Sequence, residues 1–317
     1  MTTLRSSLGL RLIGVAILGV VMVNAFSTSA WAVPLYQGSW NTTCPFDSTM
    51  GPIDVAVSTS GDVLVCQRVF RAERFSATGG CISHVRVSSN PTQLLGIAGT
   101  PGNGSVVLDW QARKLHTYAA DGAPLATWGT FGVGYGQLYE PSGVVVNPSG
   151  ELLVSDAGSY KVLVFDLSGN FLREWPTPIK PGKIAVDDSG YVYVATSTMG
   201  TVAMCRDGGD LVRYIGTPGG NPGQLTLPMG MAISPDGRVY VSDGIFSMIS
   251  VFTRQGVFIE RFGGQGAGQL SNPSRMAFDS VGNLYVVDED NRRICKFGPG
   301  PSPSTRRSWG QLKVMYR

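Results

Sequence analysis

The sequence predicts an all-β fold, a ring of six four-stranded antiparallel blades of the β-propeller kind. Six diverged copies of one unit are the first observation. Each carries a turn that closes on glycine and leads into an apolar run: GDVLVCQ from Gly61, GSVVLD from Gly104, GELLVSD from Gly150, GYVYVAT from Gly190, GRVYVSD from Gly237 and GNLYVVD from Gly282. The glycines are 43, 46, 40, 47 and 45 residues apart, the period of an array of small sheets. Runs such as YVYVA and VVV, apolar at successive positions, are the second observation. They mark strands covered on both faces, which a sandwich with one wet face does not need. Composition is the third: 42 glycines with only 15% charged residues suits many short strands joined by turns, not helices or disorder.

Within a unit the order is strand, turn, strand, polar loop, strand, and then a fourth strand such as NFLREW (170–175) or VFIERF (257–262). The third strand closes on Phe75, Tyr118, Phe165, Cys205, Phe252 or Phe297. Blades are expected to start near residues 51, 92, 139, 179, 226 and 271, within a propeller spanning 33–298. The sixth copy supplies three strands and then meets PGPSPS (299–304), where proline cannot donate to a ladder. The missing strand is expected from LYQGSW (35–40) in segment 33–50, because Trp40 lies 12 residues before Pro52, as Phe262 lies 11 before Pro273 and Trp128 lies 13 before Pro141. The alternative is STRRSWG (304–310), in a basic Pro/Ser-rich tail spanning 299–317.

Residues 1–32 read as a secretory signal peptide: Arg5 and Arg11, an apolar run from Leu12 to Phe26, and a small-x-small site at Ala30-Trp31-Ala32. The expected product is a secreted or periplasmic chain from Val33 with no further membrane span. Loss of two arginines leaves a charge close to neutral, which gives no broad pull toward nucleic acid. Of the five cysteines, Cys44, Cys66 and Cys81 lie in one region where a bridge is expected, its pairing open. Cys205 and Cys295 read as small buried apolar residues.

PGKIAVDDSGYVYVATS, PMGMAISPDGRVYVSDG and PSRMAFDSVGNLYVVDEDNRRICKF resemble NHL repeats. So do the linkers FGVGYGQL (131–138), GTPGGNPGQL (216–225) and FGGQGAGQL (262–270), each followed by Pro three residues later. The resemblance runs from about Pro52 to Phe297 and is sharpest in copies three to six. It implies a six-bladed propeller of NHL type and, by analogy with extracellular sensor domains of that family, a binding or scaffold role. No WD, kelch or YWTD pattern occurs.

The loudest cluster, DEDNRR (288–293), falls where other copies read DAGSYK, TSTMGT and DGIFSM. Asp109, Asp156, Asp243 and Asp288 therefore read as repeated structural caps that accept backbone N–H bonds. Departures from the repeat carry more information. Register puts Asp54, Lys183 and Arg275 at a slot near the start of the innermost strand that copies three and five fill with Gly143 and Gly230. The three should converge at one mouth of the central channel, with Arg68, Arg71, Tyr160, Phe246, Asp290 and Arg292 on nearby loops. That set suits a polar or anionic ligand, or a protein partner, better than a cation.

Enzyme chemistry is tested by residue supply. Amidating lyases related to this family use histidine-bound zinc, but His84 and His116 are placed on outer strands of the first two units. Lactonase-type propellers hold calcium with several carboxylates, whereas here Lys183 and Arg275 oppose a cation. A channel-centred hydrolase or lyase is therefore the less favoured reading. The expectation is a binding module with no catalytic residue, cofactor or metal, no nucleic-acid partner, acting as a monomer or within a complex.

Overall fold

The computed structural model describes residues 34–41, 51–87, 93–196, 198–264, 266 and 268–298. The expected signal segment, Cys44 and the tail with its alternative closing strand lie outside these residues. Six antiparallel four-stranded sheets form the predicted propeller. Blade one comprises Pro52–Val57, Val63–Gln67, Arg71–Phe75 and Cys81–Arg86. Blade two comprises Leu94–Gly99, Ser105–Asp109, Lys114–Tyr118 and Pro124–Trp128. Blade three runs through Pro141–Val146, Leu152–Asp156, Lys161–Phe165 and Phe171–Pro176. Blade four has a short inner strand, Ile184–Val186, then Val192–Thr196, Thr201–Cys205 and Leu211–Ile215. Blade five holds Pro228–Ile233, Val239–Asp243, Met248–Phe252 and Phe258–Phe262.

Blade six is built from both ends of the described chain. Pro273–Phe278, Leu284–Asp288 and Arg293–Gly298 are joined on the outside by Leu35–Asn41, in a register that pairs Trp40 with Ile294. The Trp40 ring then covers Gly79 in the last turn of blade one, where a Cβ would come within 2.6 Å of the indole. Trp128 over Gly169 and Trp175 over Gly209 repeat the contact, at 2.4 and 2.5 Å, one blade to the next. Each of these glycines has φ between +89° and +95°, so the turn and the ring both select glycine. The closing strand thus uses the same seam as the continuous blades.

The core follows from the doubly apolar strands. Second strands are buried along their whole length, and their side chains alternate into six layers, one between each pair of neighbouring blades. Leu138, Leu225 and Leu270 of the linkers are fully buried plugs in those layers. In two linkers glutamine shapes the preceding loop: Gln137 Oε1 accepts the Gly134 N–H and Gln224 Oε1 the Asn221 N–H, both at 3.0 Å. Cys205 and Cys295 are buried and free, and burial pushes their thiols up to about 11 and about 12. Cys81 is disulfide-bonded, whereas Cys66 is buried and free and takes no part in the bridge. No described helix is long and apolar enough to cross a membrane.

Candidate functional site

The inner strand of every blade is an edge strand, so one row of its backbone groups faces the channel without a ladder partner. The charged slots are used to satisfy that row across blade boundaries. Asp54 Oδ1 accepts the Val55 N–H at 2.8 Å, and its Oδ2 accepts the Ile97 N–H of blade two at 3.1 Å. Arg275 reaches back to blade five, where Nη1 donates to the Met229 carbonyl at 3.1 Å. Lys183 reaches back to blade three, and its Nζ donates to the Ser142 carbonyl. All three line one central cavity of about 270 Å3, walled by the six inner strands.

Their electrostatics differ. Burial pushes the Asp54 carboxyl up to about 6, against the opposing pull of Arg275 and of the two N–H donors. Burial also lowers the Arg275 guanidinium, against the attraction of Asp54 and then Glu289. The two attract each other where blade six meets blade one without closing to an ion pair, and the buried Arg275 Nε has no hydrogen-bond partner. Lys183 sits across the ring in blade four, and among the described residues no carboxylate lies within ion-pairing distance of it.

The loop residues go elsewhere, and none of the six lines the cavity. Arg68 forms an ion pair with Glu289 and links blades one and six. Arg71 lies 3.8 Å from Glu73, which also accepts the Gln67 amide at 2.8 Å. Asp290 accepts the Ser271 hydroxyl at 3.0 Å and holds its linker. Arg292, at φ +52°, packs over Gly51. Tyr160 and Phe246 are exposed on the face that carries the linkers and the loops between second and third strands, called the upper face below.

The repeated aspartates knot linker to loop. Asp156 accepts four N–H groups, from Tyr139 (2.6 Å), Glu140 (3.1 Å), Gly158 (3.1 Å) and Ser159 (3.0 Å). Asp243 accepts those of Thr226 and Ile245 at 2.7 and 3.1 Å. Asp288, fully buried, accepts the Ser271 N–H and the Arg293 Nε–H, both at 2.7 Å. Asp109 accepts the Ala112 N–H at 2.9 Å and lies 3.7 Å from His116 Nε2. His116 is on a third strand, not an outermost one, while His84 is on the outermost strand of blade one. Among the described residues no three His, Cys, Asp or Glu side chains converge on one point.

Sequence reasoning passed over an arc on the upper face. Phe131, Val133, Tyr135 and Tyr139 of the linker between blades two and three are exposed, Tyr135 at 85%, and Tyr160, Met199, Ile245 and Phe246 continue the arc across blades three to five. Phe131 and Tyr139 lie 5.6 Å apart, centroid to centroid. Cations stand over the rings: Arg113 over Trp110 and Phe131 at 4.8 and 5.6 Å, Lys161 over Tyr135 at 5.9 Å, and Arg261 over Phe246 at 6.0 Å. A signal was present. Of the three linkers that end in Gly-Gln-Leu, this one alone carries aromatics at its exposed positions, its sisters reading TPGGNPGQL and FGGQGAGQL.

Six radial sheets, six interblade layers and a central channel define a six-bladed β-propeller. The repeats place it further: residues 138–165 match the NHL repeat family, and the chain is an NHL-repeat propeller. NHL repeat-containing protein 3 of Homo sapiens is 28% identical over 155 residues, covering 43% of this chain and 45% of that protein. Protein brain tumor of Drosophila melanogaster is 28% identical over 145 residues, covering 43% of this chain and 14% of that protein. The matched part thus spans less than half of these relatives. Among solved structures, a streptogramin B lyase superposes with TM-score 0.60 at 12% identity, covering 82% of this chain and 96% of that one. A virginiamycin B lyase from Staphylococcus aureus, crystallised with quinupristin, gives TM-score 0.61 at 14% identity, covering 84% and 89%. At such identities the likeness shows the fold alone.

Proposed function

We propose that the chain is an exported, non-catalytic binding module that docks a protein partner on its upper face, the contact centred on residues 131–139. The exposed aromatic arc with its overlying cations carries this reading. Large aromatics and arginine dominate the centres of protein interfaces, and an exposed patch of them on a monomer surface marks an interaction site. An NHL propeller supplies the rigid frame, since the linker is pinned beneath by Asp156 and plugged by Leu138. Export is supported by the N-terminal reading and by the disulfide at Cys81, because such bridges persist in oxidising compartments.

Site-directed photocrosslinking in the native host tests both parts. A crosslinker at Tyr135 should capture one discrete protein in the envelope or medium fraction, on a chain beginning at Val33. A crosslinker at Val281, exposed on the opposite face, should not. Phe131→Ala with Tyr139→Ala should weaken the captured partner's binding at least about tenfold, while the unfolding midpoint stays put. Equal capture at both positions would remove the face from consideration, and a chain retaining residues 1–32 would remove the export.

A further inference from the structure

The central channel has an electrostatic imbalance that the upper-face reading does not use. Arg275 is matched by Asp54, but Lys183 has no carboxylate near it among the described residues, so the cavity carries one more cation than anion. Donors are also left over. An ammonium has three hydrogens, and one of those on Lys183 goes to the Ser142 carbonyl. Of the Arg275 nitrogens, Nε is shut away from the space and Nη1 goes to the Met229 carbonyl, which leaves Nη2. The space is about 270 Å3, room for some nine waters at ~30 Å3 each. Hence the surplus donors face a volume that takes a small molecule but not a polymer.

We propose that the channel binds one small oxyanion, a carboxylate or a phosphate, with Lys183 as its primary partner and Arg275 as a second donor. Paired charges at a pore mouth need no ligand, but an unpaired ammonium in a backbone-walled cavity gains a charge-assisted hydrogen bond only from an incoming anion. Asp54 opposes that anion and limits the site to one, because a second anion would meet no further unmatched cation. The inference does not depend on the aromatic arc, since the two sites share no residue.

Isothermal titration with inorganic phosphate, succinate and the uncharged isostere succinamide, at constant ionic strength, tests it. One anion per chain should bind saturably and succinamide should not; the tighter of phosphate and succinate identifies the source. Lys183→Gln, which keeps a donor for the Ser142 carbonyl but loses the charge, should weaken binding at least tenfold, and Lys183→Arg should retain it within a few-fold. Asp54→Asn should tighten it several-fold. Circular dichroism of each variant secures the fold. Failure of both anions to saturate at millimolar concentration would overturn the site. So would unchanged binding by Lys183→Gln, or succinamide binding as tightly as succinate.

Discussion

In blades three and five the slot facing the channel is glycine, and the residue paired with it across the ladder is serine: Gly143 with Ser155, Gly230 with Ser242. In blade one the same two positions hold Asp54 and Cys66, and in blade two Gly96 and Leu108. The serines tie blades together. Ser155 Oγ donates to the Gly182 carbonyl of blade four at 2.8 Å, and Ser242 Oγ to the Ser274 carbonyl of blade six at 2.6 Å. Lys183 and Arg275 return a bond to the carbonyl just before each glycine, so the same two bonds staple blades three–four and five–six. The Ser142 hydroxyl adds bonds to the Pro181 and Gly182 carbonyls in the first of these pairs. At this slot blades one and two are joined instead by the Asp54 carboxylate accepting the Ile97 N–H. Asn103 ties the far ends of the same two blades by accepting from Thr59 and Ser60. Neutral hydroxyls satisfy buried carbonyls at little desolvation cost, whereas the Asp54 joint places a charge where burial opposes it. At the channel slots the blades are thus stapled in pairs, and the first pair is the costly one.

Glycine substitution should divide the pairs most sharply. A Cβ on Gly230 would fall 2.1 Å from the Ser274 carbonyl oxygen, which is backbone and shared with the staple. On Gly96 it would meet Val144 Cγ1 at 3.0 Å and Asp54 Oδ2 at 3.4 Å, side-chain atoms that can yield. Gly230→Ala should cost about 3 kcal/mol or more and Gly96→Ala about 1 kcal/mol, read from urea unfolding midpoints. Equal losses would dissolve the distinction between pairs.

The next effect is a pH dependence confined to the first pair. The Asp54 carboxyl titrates at about 6 in the folded chain against 3.8 when unperturbed. Between those values the folded state holds a proton that the unfolded state has lost. Stability from this group is therefore full below about pH 4 and lost as pH rises through about 6. The swing is on the order of 2–3 kcal/mol at most. Asp54→Asn should flatten the wild-type decline between pH 4 and 7, whatever constant offset comes from leaving Arg275 unmatched. An identical slope in the variant would mean that the carboxyl titrates normally.

How much of this was legible follows from the reach of each interaction. The period-setting glycines and doubly apolar runs are local, and they foretold every second and third strand. The structural role of Asp156 and its sisters was legible for the same reason: an internal comparison of six loops isolates a repeated cap. The staples were not. Ser155 and Ser242 each look like one polar letter in an apolar run, LLVSD or VYVSD, and their acceptors lie 27 and 32 residues further on. Loop charges were equally opaque, because a long side chain picks its partner in space. Arg68 finds Glu289 across 221 residues, which no register argument anticipates.

The smallest effect is the most discriminating for the staples themselves. Ser242→Cys keeps nearly the same volume and makes blade five resemble blade one, where the Cys66 thiol has only a 3.7 Å contact to the Gln67 carbonyl. The thiol is a weak donor, so the Ser274 carbonyl would lose most of its bond across the seam. A loss of about 1 kcal/mol is expected, and a smaller one for Ser155→Cys, because the Gly182 carbonyl keeps the Ser142 hydroxyl at 2.7 Å. The two seams share no partner, so the double variant should lose the sum of the two single losses in the same urea measurement. Additivity would show that each blade pair is stapled on its own account. A double loss well above the sum would mean instead that the ring opens cooperatively, and that the pairs are units of sequence without being units of stability.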